Sequence, residues 1–473
     1  MRQTRCPLVE ALKRHVKRGF VSFHTPGHLQ GKAAPPVLRQ WWGRPVFEAD
    51  LTEVPGLDDL HAPKGVIRQA QELAAKLVGA RRTFFLVNGS TTGVQAMLLA
   101  CAGPGDKVVL PRAVHRSAVA ALVLSGAEPV FLPQRYLEGY GIPLPPQEAD
   151  CRSFLARNPG ARALFAVYPD YYGVTVDLEV LAGAAHAHGL PLLVDAAQGV
   201  LFGHHPAMPP GAVACGADAV VESVHKRAGG LTQTAWLHLQ GEKLDRYKVH
   251  QALQFLLTSS PSYLLLASLD AARQRLAVAG ARTCERLIEL ANEARRALLR
   301  LAEVRVLSEA GEGYRVDPTR LVINFRETGV SGFSVARTLH RRGVVVEMAD
   351  FANVVLLLGA GHGSKDIKRL VEAVKESLKG PREAVPPKFP GVPPRRLGPR
   401  EAWLARAEQL PLEKAVGFTS AEMVAVTPPG FPLLIPGEEI TPEIVSYLQA
   451  VRAAGVVVHG VADPELKTLR VVR

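Results

Sequence analysis

The sequence predicts an α/β fold with a mostly parallel central sheet and helices on both faces. Between about residues 65 and 239, short apolar runs alternate with segments whose apolar residues recur at helical spacing. This alternation is typical of parallel sheets, because parallel strands need a crossover connection that is usually a helix. With 473 residues and 47% hydrophobic content, the chain can bury substantial cores, and its length suggests about three domains.

The elements of this region can be placed in chain order. Helices are predicted at residues 65–78, 92–102, 117–125 and 178–188. Strands are predicted at residues 82–87, 107–110, 129–132, 163–167, 190–195 and 219–222. Because ligands gather at the carboxyl ends of parallel strands, the residues that follow these strands are the first candidates for a functional site.

Two smaller domains are predicted beyond this region. A long helical stretch at 262–301 precedes a helix near 333–342 and strand-like segments at 320–325, 343–348, 354–358, 456–459 and 469–472. The predicted division is an N-terminal arm at 1–64, a large domain at 65–260, a small α+β domain at 261–379, a proline-rich basic linker at 380–400 and a C-terminal domain at 401–473.

The net charge of +12 raises the question of nucleic-acid binding. The positive residues are spread out, and their densest cluster, at 393–400, lies in the predicted linker without a recognised nucleic-acid-binding motif. We therefore expect no nucleic-acid partner.

Cysteine usage and hydropathy indicate a soluble chain in a reducing cytoplasm. The five cysteines are scattered without a CxxC pair, which predicts neither a metal site nor a disulfide framework. The longest uncharged run, at 251–269, contains Pro261 and several serines, so we expect no membrane span. Residues 1–18 carry charge throughout, which favours an amphipathic helix over a signal peptide.

Two strand ends carry the most informative chemistry. Asp195 ends one apolar strand, and Lys226 lies in Ser223-Val-His-Lys directly after the next. A buried lysine amine can form a Schiff base with an aldehyde, and a fixed carboxylate keeps a pyridine nitrogen protonated. Alone, Asp195 would be interpreted as a helix cap and Lys226 as a solvated surface lysine. At this spacing the pair indicates a site for pyridoxal phosphate (PLP).

A third segment is suited to phosphate. An apolar strand leads through Gly89, Ser90 and Thr91 into an apolar helix, so free backbone N–H groups and the positive end of a helix dipole meet at the turn. An ordinary capped helix start has the same pattern. The segment is not a Walker P-loop, because the Gly-Lys-Ser/Thr ending is missing.

These segments, in this order, resemble the ornithine/lysine/arginine decarboxylase family of fold type I PLP enzymes. Further matching motifs are Phe23-His-Thr-Pro-Gly-His-Leu-Gln-Gly, Asp50-Leu-Thr-Glu-Val-Pro-Gly-Leu-Asp-Asp-Leu-His, Val114-His-Arg-Ser, Tyr168-Pro-Asp-Tyr-Tyr-Gly-Val, Leu231-Thr-Gln-Thr-Ala and Thr258-Ser-Ser-Pro-Ser-Tyr. The resemblance covers nearly the whole chain. It implies a short form of the family, without an N-terminal receiver-like domain.

The resemblance also implies the catalytic roles. Lys226 would hold PLP through a Schiff base, and Asp195 would pair with the pyridine nitrogen. His115 would stack on the ring, and His225 would lie beside the Schiff base as a proton donor. The implied cofactor-binding set is completed by residues around the phosphate and the ring, namely Gly89, Ser90, Thr91, Ala197 and Ser223.

Some residues differ from those usual in the family, and these differences bear on which substrate is bound more than on cofactor binding. Ala196 and Gln198 stand where many members have an acidic residue and a histidine or aromatic residue, and Phe418 and Thr427 replace an expected arginine and tyrosine. Because a basic protein repels a basic amino acid at long range, recognition would need local carboxylates. The resemblance favours Asp350 and Glu422 for this task.

The implied activity is PLP-dependent decarboxylation of a basic L-amino acid, with arginine ahead of lysine and ornithine, in polyamine-related metabolism. The resemblance implies a homodimer or higher homo-oligomer. Two alternatives use the same residues: a PLP-dependent aminotransferase or lyase, and a catalytically idle PLP-fold binding protein.

Overall fold

The computed structural model describes residues 2–301, 303–380, 382, 389–427 and 430–473. Its helices are α1 (Pro7–Arg18), α2 (Pro36–Trp42), α3 (Arg44–Ala49), α4 (Val66–Val78), α5 (Gly89–Cys101), α6 (Arg116–Ser125), α7 (Glu148–Arg157), α8 (Leu178–Ala187), α9 (Val224–Arg227), α10 (Arg246–Leu256), α11 (Tyr263–Leu298), α12 (Gly332–Arg341), α13 (Ser364–Ser377), α14 (Pro399–Leu404) and α15 (Pro442–Ala453). Within this part of the chain, none of the helices is both long and apolar enough to cross a membrane.

The strands follow the same chain order. They are β1 (Arg82–Leu86), β2 (Lys107–Leu110), β3 (Glu128–Phe131), β4 (Arg135–Leu137), β5 (Ile142–Leu144), β6 (Ala161–Val167), β7 (Val174–Val176), β8 (Leu192–Asp195), β9 (Ala219–Ser223), β10 (Ala235–Leu239), β11 (Arg305–Val306), β12 (Tyr314–Val316), β13 (Arg320–Asn324), β14 (Met348–Ala349), β15 (Asn353–Leu357), β16 (Ala407–Pro411), β17 (Val424–Thr427), β18 (Phe431–Leu434), β19 (Val457–His459) and β20 (Thr468–Val472).

The chain divides into two compact units. The first consists of residues 1–100 and 194–284, and the second of residues 101–193 and 285–473. The boundaries between the units fall within strand β8 and within helix α11. The domain boundaries predicted from the sequence stay predictions, and residues 381 and 383–388 of the predicted linker lie outside the described residues.

The first unit is built on the strand order β1-β10-β9-β8. Strand β10 runs antiparallel to both of its neighbours, with Leu237 opposite Val221 of β9. Helix α5 lies close against this sheet, because a Cβ on Gly93 would come within 2.5 Å of Val221 Cγ2 and 2.9 Å of Leu86 Cδ1. Glycine at this position therefore lets the start of α5 approach the ends of the strands.

The second unit contains the strand order β8-β6-β2-β3, in which β2 is parallel to both β6 and β3. A separate antiparallel sheet has the order β11-β13-β15-β14, and a three-stranded sheet has the order β18-β17-β19. The predicted α/β class is confirmed. The central sheet is mixed, because β10 is antiparallel to its neighbours.

The predicted strand at 343–348 is wrong for most of its length, since β14 begins only at Met348. The backbone N–H groups of Gly343 and Val344 donate to the carbonyls of His340 and Leu339, so the chain is still closing helix α12. The run Val344-Val-Val favours a strand locally, but the N–H of Val344 is used by the C-terminal turn of the helix and is not available to a strand.

Candidate active site

Asp195 ends strand β8 in a buried position of the first unit. The residue is 6% exposed, and its Oδ1 accepts the N–H of Ala197 at 3.0 Å. The N–H of Ala196 donates to the carbonyl of Val221 at 2.8 Å, which fixes the end of β8 beside β9. Burial raises the pKa of Asp195, while the charge of Lys226 and the Ala197 N–H act in the opposite direction. A cation placed here would therefore stabilise the carboxylate.

Lys226 lies in the single helical turn α9, directly after strand β9. The N–H of Val224 donates to the carbonyl of Thr234 at 3.0 Å and extends the pairing with β10, and the N–H of Ala228 donates to the carbonyl of Val224 at 3.0 Å, which closes the helical turn after the strand. Lys226 as a residue is only partly buried. Because its charge acts on the carboxyl group of Asp195, the predicted pair is electrostatically coupled within one unit.

His225 is oriented by the same carbonyl. Its Nδ1 lies 3.0 Å from the carbonyl oxygen of Thr234. A carbonyl only accepts hydrogen bonds, so we assign the proton of the neutral ring to Nδ1. The Nε2 atom is then the ring nitrogen left for proton exchange, which suits the predicted role of a proton donor.

The predicted phosphate site lies where β1 passes into α5. Gly89 has a φ of 80° and donates its N–H to the carbonyl of Gln233 at 2.8 Å. The hydroxyl of Ser223 donates to Ser90 Oγ at 2.9 Å. Ser90 and Thr91 are partly accessible, whereas Ser223 is fully buried. The structure thus joins hydroxyl groups from two predicted segments at a helix N-terminus, where Ser90 and Thr91 are accessible to a phosphate group and the buried Ser223 supports Ser90.

His115 belongs to the second unit, where it caps the N-terminus of α6. Its Nδ1 accepts the N–H of Ser117 at 3.2 Å and lies 2.8 Å from Ser117 Oγ. Because the backbone N–H donates to Nδ1, the neutral ring carries its proton on Nε2. These contacts fix the orientation of the ring, which is the property that a stacking residue needs.

The two predicted substrate carboxylates, Asp350 and Glu422, also lie in the second unit. Asp350 lines a cavity of about 420 Å³ and accepts a hydrogen bond from Tyr172 Oη at 2.8 Å. Glu422 accepts the backbone N–H groups of Ala462 and Arg470 at 2.8 and 2.9 Å. The structure thus gives Glu422 a role in joining segments of the C-terminal part, and its contact with substrate stays a prediction.

Thr234 and Gln233 have a role that the sequence did not reveal. Their carbonyl groups accept hydrogen bonds from His225 and Gly89, so a single loop orients residues of both the amine and the phosphate regions. The segment Leu231-Thr-Gln-Thr-Ala matches a motif of the family, but the motif does not indicate what these residues do. Gln233 has a φ of 77°, which is unusual for a non-glycine residue and is often seen at functional loops. This signal is visible only in the structure and not in the sequence.

An α/β fold with this amine, carboxylate and hydroxyl arrangement defines the class of protein, a fold type I PLP-dependent enzyme. Comparisons with solved structures agree with this fold. Over 99% of its length the chain resembles the structure of the E. coli constitutive lysine decarboxylase, covering 82% of that chain with a TM-score of 0.84 at 22% identity. It also resembles a structure of SPT with PLP, with a TM-score of 0.52, 18% identity and coverage of 66% of this chain and 76% of that one.

The sequence comparisons identify the family. The model for the major domain of Orn/Lys/Arg decarboxylases matches residues 6–312, and the model for their C-terminal domain matches residues 393–463. An arginine decarboxylase of Bacillus subtilis (strain 168) is 38% identical over 484 aligned residues, which cover 100% of this chain and 99% of that protein. The chain belongs to the Orn/Lys/Arg decarboxylase family and is a PLP-dependent decarboxylase.

Proposed function

We propose that this decarboxylase acts on L-arginine, with L-lysine and L-ornithine as the next candidates. The observation that carries the choice is the full-length similarity to an arginine decarboxylase, since the lysine decarboxylase with the same fold is more distant in sequence. The reaction would remove the α-carboxylate as carbon dioxide and leave the corresponding amine, which would feed polyamine-related metabolism.

PLP, when bound, supplies an electron sink for the electron pair that departing carbon dioxide leaves at the substrate α-carbon. We propose that Lys226 attaches the cofactor through its amine and that Asp195 holds the proton on the pyridine nitrogen. The buried carboxylate of Asp195 suits this task, because a positive partner offsets the cost of its burial.

The remaining residues would bind, orient and transfer a proton. The phosphate would be held by Ser90, Thr91 and Ser223, with the N–H groups at the start of α5, while Gly89 and Ala197 would line the site. His115 would stack on the ring. With protons on both ring nitrogens, His225 would deliver the Nε2 proton to the α-carbon and keep the Nδ1 proton on the carbonyl of Thr234, returning to the neutral ring.

A direct test supplies the PLP-loaded protein with arginine, lysine and ornithine separately and measures carbon dioxide and amine by mass spectrometry. We expect agmatine from arginine at the highest kcat/KM. A product that keeps its carboxylate would indicate an aminotransferase or a different lyase, and PLP binding without turnover would indicate an idle protein. The matched control is Lys226→Arg, which keeps a positive charge near Asp195 but removes the primary amine.

We also propose a homodimer or a multiple of it. The segment at 20–42 of the first unit exposes several apolar side chains, including Phe23 at 96% and Trp41 at 79% exposure. The exposed Trp41 and Trp42 rings lie 6.2 Å apart. Exposed apolar patches mark interaction surfaces, and symmetric pairing of identical chains is the commonest way to cover them. Sedimentation velocity should give twice the chain mass, and Phe23→Ser with Trp41→Ser should shift the protein toward the monomer.

The proposed compartment is the reducing cytoplasm. The cysteines of the described part of the chain form no disulfide, and burial raises the pKa of Cys101 and of Cys151 to about 12, which disfavours the reactive thiolate form of both. All five should become alkylated when protein purified without reductant is denatured. A disulfide within the chain would contradict this assignment.

A further inference from the structure

Gln233 occupies a turn position that favours glycine. The N–H of Thr234 donates to the carbonyl of Leu231 at 3.2 Å, so residues 231–234 form a β-turn whose third residue is Gln233. Its φ of 77° is typical of the third residue of a type II turn, where glycine is usual because it has no Cβ. A glutamine in this conformation destabilises the folded state, and the turn itself does not require it.

The surroundings fix the backbone of this turn. The carbonyl of Gln233 accepts the N–H of Gly89 at 2.8 Å, and the N–H of Leu231 donates to Ser268 Oγ of α11 at 3.1 Å. The Thr234 hydroxyl donates to the carbonyl of Leu231 at 2.6 Å. Contacts that over-determine the backbone in this way can hold a strained φ. They use only backbone atoms of Gln233, so they do not explain why the side chain is that of glutamine.

The side chain of Gln233 is exposed, and within the described part of the chain its amide forms no hydrogen bond. Asp58 provides a contrast, since its φ is 76° but its carboxylate accepts the N–H groups of Lys64 and Gly65 at 2.9 and 2.7 Å. These hydrogen bonds offset the backbone strain of Asp58 within the fold, whereas no such bond offsets that of Gln233. Strained residues of the second kind cluster at active sites and ligand-binding sites.

The turn places Gln233 beside the predicted phosphate site. Its carbonyl oxygen lies 2.8 Å from the backbone nitrogen of Gly89, which directly precedes Ser90 and Thr91. A glutamine side chain extends about 5 Å from its Cα, so the amide of Gln233 is within reach of an anion held by these hydroxyls. The same contact occupies the Gly89 N–H, which would otherwise be a free donor at the start of α5. The side-chain NH2 group can supply two donors in its place.

We propose that the side-chain amide of Gln233 donates a hydrogen bond to the PLP phosphate and is a further cofactor-binding residue. The strained φ is then the backbone conformation that brings this amide to the phosphate. A hydrogen bond from an amide to a phosphate is charge-assisted, and such bonds are about twice as strong as those between neutral groups. The inference rests on the proposed phosphate site at Ser90 and Thr91, to which it adds a ligand from the turn before β10.

The test compares PLP with pyridoxal, which has the same ring and aldehyde but lacks the phosphate. Both are titrated into the full-length protein after removal of its cofactor, and binding is followed by absorbance. The Kd of pyridoxal divided by the Kd of PLP is the phosphate preference, which isolates the contacts made to the phosphate from those made to the ring and the aldehyde.

Gln233→Gly removes the amide and relieves the strain. It should weaken PLP about tenfold or more, the usual value of a hydrogen bond to a charged group, and leave the Kd of pyridoxal unchanged. The cofactor-free variant should unfold at the same temperature as the wild type or at a higher one, because glycine adopts this φ without strain. Equal weakening of PLP and pyridoxal, or a less stable variant, would show that Gln233 has only a structural role.

Gln233→Glu keeps the shape of the side chain but replaces the donor with a carboxylate that repels phosphate. It should lower the phosphate preference further than Gln233→Gly does. The matched control is Gln409→Glu, the same change at an exposed position of strand β16, and it should keep the wild-type preference. A wild-type preference in Gln233→Glu, or an equal loss in Gln409→Glu, would refute the assignment.

Ser90→Ala separates this inference from the site on which it rests. If Ser90→Ala lowers the phosphate preference and neither Gln233 variant does, the phosphate site is correct and the role of Gln233 is wrong. If Ser90→Ala also keeps the wild-type preference, the phosphate binds elsewhere and both assignments fail.

Discussion

Ser223 Oγ donates a hydrogen bond to Ser90 Oγ across 2.9 Å and so joins the end of β9 to the first turn of α5. If these hydroxyls hold the cofactor phosphate, Ser90→Ala and Ser223→Ala should each weaken PLP binding about tenfold to a hundredfold, the usual value of a hydrogen bond to a charged group. PLP affinity can be followed by absorbance titration.

The two substitutions should also be coupled. Because the hydroxyls contact each other, the loss in the double variant should fall short of the sum of the two single losses. Ser153→Ala, at an exposed position on α7, is the matched control and should bind PLP normally. Normal PLP affinity in both single variants would exclude this pair from the phosphate site.

Asp195→Asn tests the pairing with the pyridine nitrogen. Asparagine keeps the shape and can still accept the Ala197 N–H, but it cannot hold a positive charge on the ring. We expect kcat to fall about a hundredfold or more, the scale of removing one oriented electrostatic group from an active site. The control is Asp177→Asn at the N-cap of α8, where asparagine is an equally good cap. A kcat within a few fold of the wild-type value would contradict the assigned role.

Arg112 and Glu438 form a buried ion pair in the second unit, with side chains 4% and 1% exposed. Glu438→Leu should lower the free energy of unfolding by about 3–5 kcal/mol, because it leaves a buried guanidinium without its partner. Adding Arg112→Met should recover part of the loss. Recovery would be incomplete, since the pair also binds the Leu433 carbonyl and the Ile435 N–H. Chemical denaturation measures both effects, and equal stability of wild type and Glu438→Leu would contradict the pairing.

Asp170 predicts a pH dependence of stability. Burial raises its pKa to about 7, although the Tyr172 and Val174 N–H groups and the charge of Arg320 act in the opposite direction. A carboxyl whose pKa is raised on folding adds stability that is fully present below its unfolded pKa of about 4 and is lost once the pH passes about 7.

Asp170→Asn mimics the protonated acid and should remove this contribution. Between pH 5 and 8 the wild type should lose about 2–3 kcal/mol of stability relative to the variant, because about two of the roughly three pKa units of the shift lie above pH 5. Urea unfolding at pH 5, 6.5 and 8 measures the difference. If the wild type instead gained stability relative to the variant as the pH rises, folding would lower the pKa of Asp170 and the prediction would be wrong.

The strands that carry the active site could be predicted to within about two residues. Strands β2, β8 and β9 are buried apolar runs bounded by glycine, proline or a charged residue, a pattern that specifies both the element and its end. Asp195 ends β8 and Lys226 lies in the turn after β9, so the sequence placed both at carboxyl ends of strands, whereas the adjacency of β8 and β9 is seen only in the structure.

Strand β10 was missed, because His238 interrupts its apolar pattern. In the structure, the buried His238 ring lies 2.7 Å from Thr83 Oγ1 and 3.3 Å from Glu222 Oε2, so long-range partners make the histidine compatible with a core strand. The cavity that Asp350 lines could not be predicted from the sequence either. Its walls come from segments between residues 112 and 447, and no local pattern indicates that Asp350 meets Tyr172.

The bond between cofactor and chain is tested most directly by borohydride reduction of the PLP-loaded protein, followed by peptide mass spectrometry. We predict one pyridoxyl group per chain, on the peptide that contains Lys226, and none on folded Lys226→Arg protein. A tag on a different lysine, or a reduced protein without any tag, would contradict the assignment of Lys226 as the residue that holds PLP.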